Sequence, residues 1–407
     1  MNILELIILL HYLFGFLFFP KPLQKKYYLF TNILLILAFV ILLIRKGRAV
    51  FKTNDYPLWV FLIAISINVL FAQSRLVAFK TYLDLAIPMF SIYYLVSEDF
   101  CSSKKFNLLA KTICLFSIIV SLGGIFESLF AFNPIYEHFI KNPYYQRYIT
   151  GFVRPMSTQF NPAPLGGYLL GCLPFNYLLF RKYTSFFRLL GAIGVVLSTI
   201  VVILTFSRCA LLGLIAMIVF YLFTQKNYRA IAILFITVFI LIFISSYMPY
   251  PLNKFGIDGI IGGGQLSTYR LDRFGMALRM VKDYPFKGVG FQHFRIRFYE
   301  YYPYKDKIPY EIMIADNMYL TILSETGIIG FLGFSGFIFS FLRKGWRKLR
   351  MSDANSEQRW RLLVTLMAFI GLLVDMVGYE FLYWPNQYLL FCIVVGCLSA
   401  SLRCEKE

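Results

Sequence analysis

Apolar stretches of about 17–25 residues, the length that crosses a bilayer, recur along the whole chain. They fall near 3–20, 27–44, 56–72, 79–97, 108–132, 163–180, 186–206, 209–224, 230–248, 318–342, 362–379 and 386–402. The pattern predicts an all-α polytopic membrane protein: one integral domain over 1–407 with about twelve transmembrane helices. The first run has no small-residue cleavage site and reads as a retained helix rather than a signal peptide. Two links stand out by length, 133–162 and 249–317. Long links in compact proteins are either functional or disordered. The second is too aromatic for disorder, with Phe274, Phe286, Phe291, Phe294, Phe298 and Tyr299 among its rings. Within it, Phe274, Leu278 and Val281 recur at helical spacing over 268–282, which predicts an amphipathic helix along the membrane surface.

Composition agrees. The chain is 59% hydrophobic and 15% charged, against roughly 25% charged in soluble domains. Its net charge of +19 sets an orientation, because basic links favour the cytoplasmic side. Arg45 and Lys46, Lys104 and Lys105, Arg181 and Lys182, Lys226 and Arg229, and the run from Arg343 to Arg361 all share one side. That side is cytoplasmic if both termini are; Lys21, Lys25 and Lys26 dissent. The link 343–361 is then a basic cytoplasmic loop, and the two long links are external. The charge reads as topology plus attraction to anionic membrane lipids, not as a nucleic-acid footprint. The seven cysteines form no CxxC pair and lie mostly in or beside apolar runs, as small core residues do.

On this topology Arg154, Arg208, Arg270 and Asp316 gather at the external face. Cations there are costly unless they meet an anion. Each has a plainer reading. Arg154, in VRPMSTQFNPAPLGG, fits a rigid re-entry turn. Arg208, in LTFSRCALLG, could snorkel to headgroups, and Arg273 and Arg279 could touch headgroups too. Asp316 or Asn317 suits a helix N-cap. Glu325, nine residues deeper, falls on the opposite face from Asp316 and is expected to pair inside the bundle. Lys80, Asp84, Glu127, Asp375 and Glu380 are further ionisable groups in the external half, and spacing does not rank them. Glycan transfer from a lipid diphosphate would use such a set. Arginine forks stabilise the leaving diphosphate, and one carboxylate takes the acceptor proton. No DxD motif and no metal-spaced cluster occurs, and no cofactor is implied.

Four segments in order carry a resemblance: VRPMSTQFNPAPLGGYL at 153–169, TFSRCALLGL at 205–214, YRLDRFGMALRMVKDYPFKGVGFQHF at 269–294 and DNMYLTILSETGIIG at 316–330. With them the chain resembles the O-antigen ligase and O-antigen polymerase superfamily of bacterial membrane glycosyltransferases. The resemblance implies a GT-C-like, metal-independent, inverting enzyme of the inner membrane, acting on its periplasmic side. Its donor would be an undecaprenyl-diphosphate-linked glycan, and its acceptor a second glycan or lipid A-core; a chain-length regulator stays open as a partner. By position, Arg154, Arg208 and Arg270 match arginines thought to bind the diphosphate. Pro285, Gly288 and Gly290 match a proline-glycine turn, and Glu325 and Gly327 a glutamate-glycine signature. Ligases of the family carry a histidine where Asp316 stands, before Asn317, which shifts the expectation towards a polysaccharide polymerase. Asp316, Arg270 and Arg208 are the expected catalytic residues. Arg154, Arg273, Arg279, Asn317, Glu325 and His293 are the expected substrate-binding ones, His293 also as a substitute base. A ligase and, from a different class, a lipid-linked sugar flippase are the competing readings.

Overall fold

The computed structural model describes residues 21–47, 55–133, 148–149, 152–159, 161–248, 265–302, 314–353 and 356–403. The predicted first span, 3–20, lies outside them, as do 134–147, 249–264 and 303–313 of the long links.

Eleven described helices coincide with the remaining predicted spans. They are α1 (Lys21–Lys46), α2 (Tyr56–Phe71), α3 (Arg75–Asp99), α4 (Ser103–Phe130), α5 (Pro162–Lys182), α6 (Ser185–Leu204), α7 (Arg208–Thr224) and α8 (Tyr228–Ser246), then α11 (Met318–Met351), α12 (Glu357–Asp375) and α13 (Pro385–Arg403). Two further helices in the longest link, α9 (Gln265–Asp283) and α10 (Phe294–Tyr301), precede α11. A two-residue pairing, β1 (Tyr148–Ile149) with β2 (Phe152–Val153), is the only strand structure among the described residues. The protein is therefore a helical, polytopic membrane protein. Seven of its described helices are long and apolar enough to cross a bilayer, and α2 and α7 are shorter apolar helices.

Local chemistry sets the helix ends. Asn161 caps α5 by accepting from Ala163 N, with Pro162 at the first position, where its missing N–H costs nothing. Ser102, Asn227 and Ser356 cap α4, α8 and α12 in the same way. α8 is apolar all round and has no buried residue, which marks it as a lipid-facing helix at the periphery. α5 and α13 are the most enclosed spans. They share one large core with α3, α11 and α12, through residues such as Tyr94, Tyr168, Phe175, Phe369 and Leu390.

One expectation needs correction. The basic stretch 343–361 is mostly not a loop: α11 continues to Met351 and α12 begins at Glu357. Lys and Arg are good helix formers, and Arg359 reaches back to the carbonyls of Leu349 and Ser352 at the end of α11. The helix expected over 268–282 is present as α9. Met276, Ala277 and Met280 pack on Phe294 and Phe298 of α10, while Leu271 and Leu278 stay exposed. The helix has two apolar edges, one for the protein and one left outward.

Candidate functional site

Four backbone segments converge on the arginines. The first is 153–159. Glu127, fully buried near the end of α4, accepts from Met156 N at 2.9 Å, Ser157 N at 2.7 Å and Asn133 Nδ2 at 2.9 Å. Ser157 takes a left-handed φ of 47° and donates its hydroxyl to Val120 O. This tight anchor delivers Arg154, whose Nε donates to Thr205 O at 2.8 Å. Thr205 opens the second segment, the α6–α7 link. Phe206 turns there with φ 50°, and Arg208 starts α7 within Coulombic reach of Arg270. Gly166 of α5 has no side chain to collide with Thr205 and Ala210, which lets the link approach.

The other two segments are α9 and 314–317. Arg273 Nη1 lies 2.8 Å and Arg270 Nε 3.3 Å from the same oxygen, Asp316 Oδ2. Burial pulls the Arg273 guanidinium below its ordinary pKa, and the Asp316 charge opposes that pull. Asp316 does not cap α11: Asn317 does, accepting from Leu320 N at 3.0 Å. Asp316 stands just outside the helix with φ 51°, a conformation Asp tolerates better than most residues. Its linker is pinned on both sides. Ala315 N donates to Glu380 Oε1 at 2.7 Å, and Met318 N to Met376 O at 2.9 Å. Burial raises the Glu380 carboxyl to about 8, against the two hydrogen bonds that favour its charge.

The proline-glycine and glutamate-glycine segments form one backbone joint. Val289 N donates to Ser324 O, Gly290 N to Glu325 O, and Ile328 N to Pro285 O at 2.8 Å. Gly288 and Gly327 have φ of 70° and 66°, and a Cβ on either would overlap the other segment's backbone. Gly327 breaks the helical geometry of α11 at this point (ψ −173°). Glu325 is buried, and its two oxygens accept from Gln292 N, Phe294 N and the Tyr383 hydroxyl. It holds the start of α10 rather than facing Asp316.

The remaining expected residues lie apart from the pair at Asp316. His293 is fully buried, with Nδ1 2.9 Å from Phe291 O and Nε2 accepting weakly from Ser74 N at 3.4 Å. Arg279 donates to Tyr301 O at 2.9 Å, the last carbonyl of α10. Next to Arg208, Cys209 packs on Gly378 just beyond α12, where the buried Asp375 and Tyr379 face the side-chain-free Gly167 of α5. The sequence groups Glu127, Glu380 and Asp375 only as carboxylates in one expected half of the membrane, with nothing to rank them. Among the described residues, no three His, Cys, Asp or Glu side chains converge to hold a metal ion.

Comparison with known families adds one match. The sequence model of a family described as O-antigen ligase matches residues 193–335. That stretch is under half of the chain. It runs from α6 to the middle of α11 and includes Arg208, Arg270, Arg273, Asp316 and the glycine joint, but not Arg154. None of the curated proteins matches the chain significantly.

Proposed function

We propose that this membrane protein, whose residues 193–335 match the O-antigen ligase family model, transfers glycan from a polyprenyl diphosphate to a sugar hydroxyl on the external side of the cytoplasmic membrane. The supporting observation is the convergence of Arg270 and Arg273 on one oxygen of Asp316, with Arg208 in electrostatic reach. Arg273 is buried and Arg270 is half exposed. In this reading Arg273 holds the carboxylate in place, while Arg270 and Arg208 turn to the donor's diphosphate. Charge grows on that diphosphate as the glycosidic bond breaks. Preorganised guanidinium forks stabilise it without reorganisation. Both guanidinium contacts use Oδ2, so Oδ1 of Asp316 is the oxygen assigned to the acceptor hydroxyl proton. The sugar's anomeric carbon passes from diphosphate oxygen to acceptor oxygen with inversion, the diphosphate leaves, and the proton goes to Asp316.

Asp316, in place of the ligases' histidine, favours a polymerase that joins lipid-linked repeat units. The family description, O-antigen ligase, keeps transfer to lipid A-core as the second reading. Purified protein with a synthetic polyprenyl-diphosphate repeat unit and no nucleotide separates them. A ladder from the donor alone is the expected result; product only after lipid A-core is added assigns the ligase.

A further inference from the structure

The end of the bundle opposite the arginine cluster holds a concave site. α12 runs from Glu357 at that end to Asp375 near the arginine cluster, roughly 28 Å for its 19 residues. Where α12 and α4 begin and α5 ends, a cavity of about 250 Å³ opens, walled by Asn107, Lys182, Tyr183, Glu357, Trp360 and Arg361. Lys182 Nζ sits 5.5 Å above the Trp360 ring. Arg361 is only 4% exposed. Its Nη atoms donate to Phe100 O at 2.6 Å and Cys101 O at 2.7 Å, and its guanidinium lies 4.7 Å from the Phe106 ring. These carbonyl and ring partners orient the charge without cancelling it, and its Nε has no hydrogen-bond partner among the described residues. Lys111 adds a third cation behind Tyr183, 5.0 Å from that ring. Glu357 is the one acidic side chain of the wall, and Asn107 Nδ2 engages it at 3.2 Å.

Cations and aromatic rings gathered where three spanning helices end mark the level of lipid headgroups. Basic pockets between such helices take phosphate-bearing headgroups. An apolar path also leads outward. Tyr183 contacts Phe187 and Phe187 contacts Phe186, and Phe186 and Leu189 are exposed on α6. Acyl chains can lie along that path; a free phosphate ion has no use for it. We propose that this cavity binds the headgroup phosphate of an anionic glycerophospholipid. Lys182 contacts the phosphate, Trp360 and Tyr183 flank the glycerol, and Arg361 supplies the field from behind. The site is independent of the transferase reading.

The test is native mass spectrometry of the full chain from micelles doped with phosphatidylglycerol or with phosphatidylcholine of the same acyl chains, with inorganic phosphate as a separate arm. The wild type is expected to retain phosphatidylglycerol over phosphatidylcholine. Lys182→Gln should lower that retention about fivefold, the loss of one cationic contact. Arg229→Gln removes an exposed cation at the same end but outside the cavity, and should leave retention unchanged. Asn107→Asp, which adds negative charge to the same wall, gives the same reading if Lys182→Gln folds poorly. Equal retention of the two lipids, or equal losses in Lys182→Gln and Arg229→Gln, overturns the site. Binding of inorganic phosphate that depends on Lys182, with no preference for the anionic lipid, overturns the lipid assignment.

Discussion

Arg273 and Arg270 sit one helical turn apart on α9 and meet the same oxygen of Asp316, yet their side chains are 5% and 46% exposed. One carboxylate therefore joins a buried cation to an accessible one. The two arginines should fail in different ways. Arg273→Ala leaves Asp316 with a weaker partner set and should lower stability by roughly 2–3 kcal/mol, below the full cost of breaking a buried pair because Arg270 remains. Arg270→Ala should leave the thermal midpoint nearly unchanged and cost about 10²–10³-fold in transfer rate. Melting curves and initial rates on both variants separate the roles.

Asp316 and Asn317 divide two duties that neighbouring polar residues often share. Asn317→Ala removes the cap of α11 and should cost about 1 kcal/mol of stability with modest loss of rate. Asp316→Asn keeps the cap and should abolish most turnover at near-normal stability. Full activity in Asp316→Asn would return that residue to a structural role.

The glycine joint should tolerate almost nothing. Gly327 combines φ 66° with ψ −173°, a region essentially reserved for glycine, where another residue costs of order 1–3 kcal/mol. A Cβ there also meets the Phe286 carbonyl. Gly327→Ala and Gly288→Ala are expected to lower the yield of folded protein and the melting temperature well beyond a control such as Gly275→Ala, where a Cβ meets nothing within 4 Å.

Glu380 should make the Asp316 linker pH-sensitive. Burial raises its carboxyl from the ordinary 4.5 to about 8, so the folded state holds a proton that the unfolded state has lost. Stability from this group is complete below about pH 4.5 and falls progressively as pH rises to about 8. Glu380→Gln, which cannot titrate, should flatten that slope in melting curves taken from pH 5 to 8.5.

Much of this is legible in the sequence. Bilayer-length apolar runs announce the helices, because an uncharged run of that length has few other destinations. The sidedness of basic links brings Arg154, Arg208, Arg270 and Asp316 to one face. The finer assignments needed three dimensions. Helical spacing groups Phe274 with Leu278 but does not say which edge of α9 meets protein, so the sequence leaves Arg273 between a substrate contact and a headgroup contact, whereas it is buried on Asp316. Asp316 and Asn317 are both good caps, and only backbone geometry decides between them. Glu127 and Glu380 act through backbone N–H groups distant in sequence, which leave no periodic trace. The basic stretch after 343 looked like a loop because charge there signals water, and a helix that outruns the bilayer meets water as well.

The most direct test follows release of polyprenyl diphosphate from a synthetic lipid-linked repeat unit, without nucleotide, by the wild type and by Arg208→Ala and Arg270→Ala variants of matched thermal stability. Robust release by the wild type and a drop of about 10² or more in both variants is the expected result. Wild-type-like turnover in both alanine variants would contradict a diphosphate site built on these arginines.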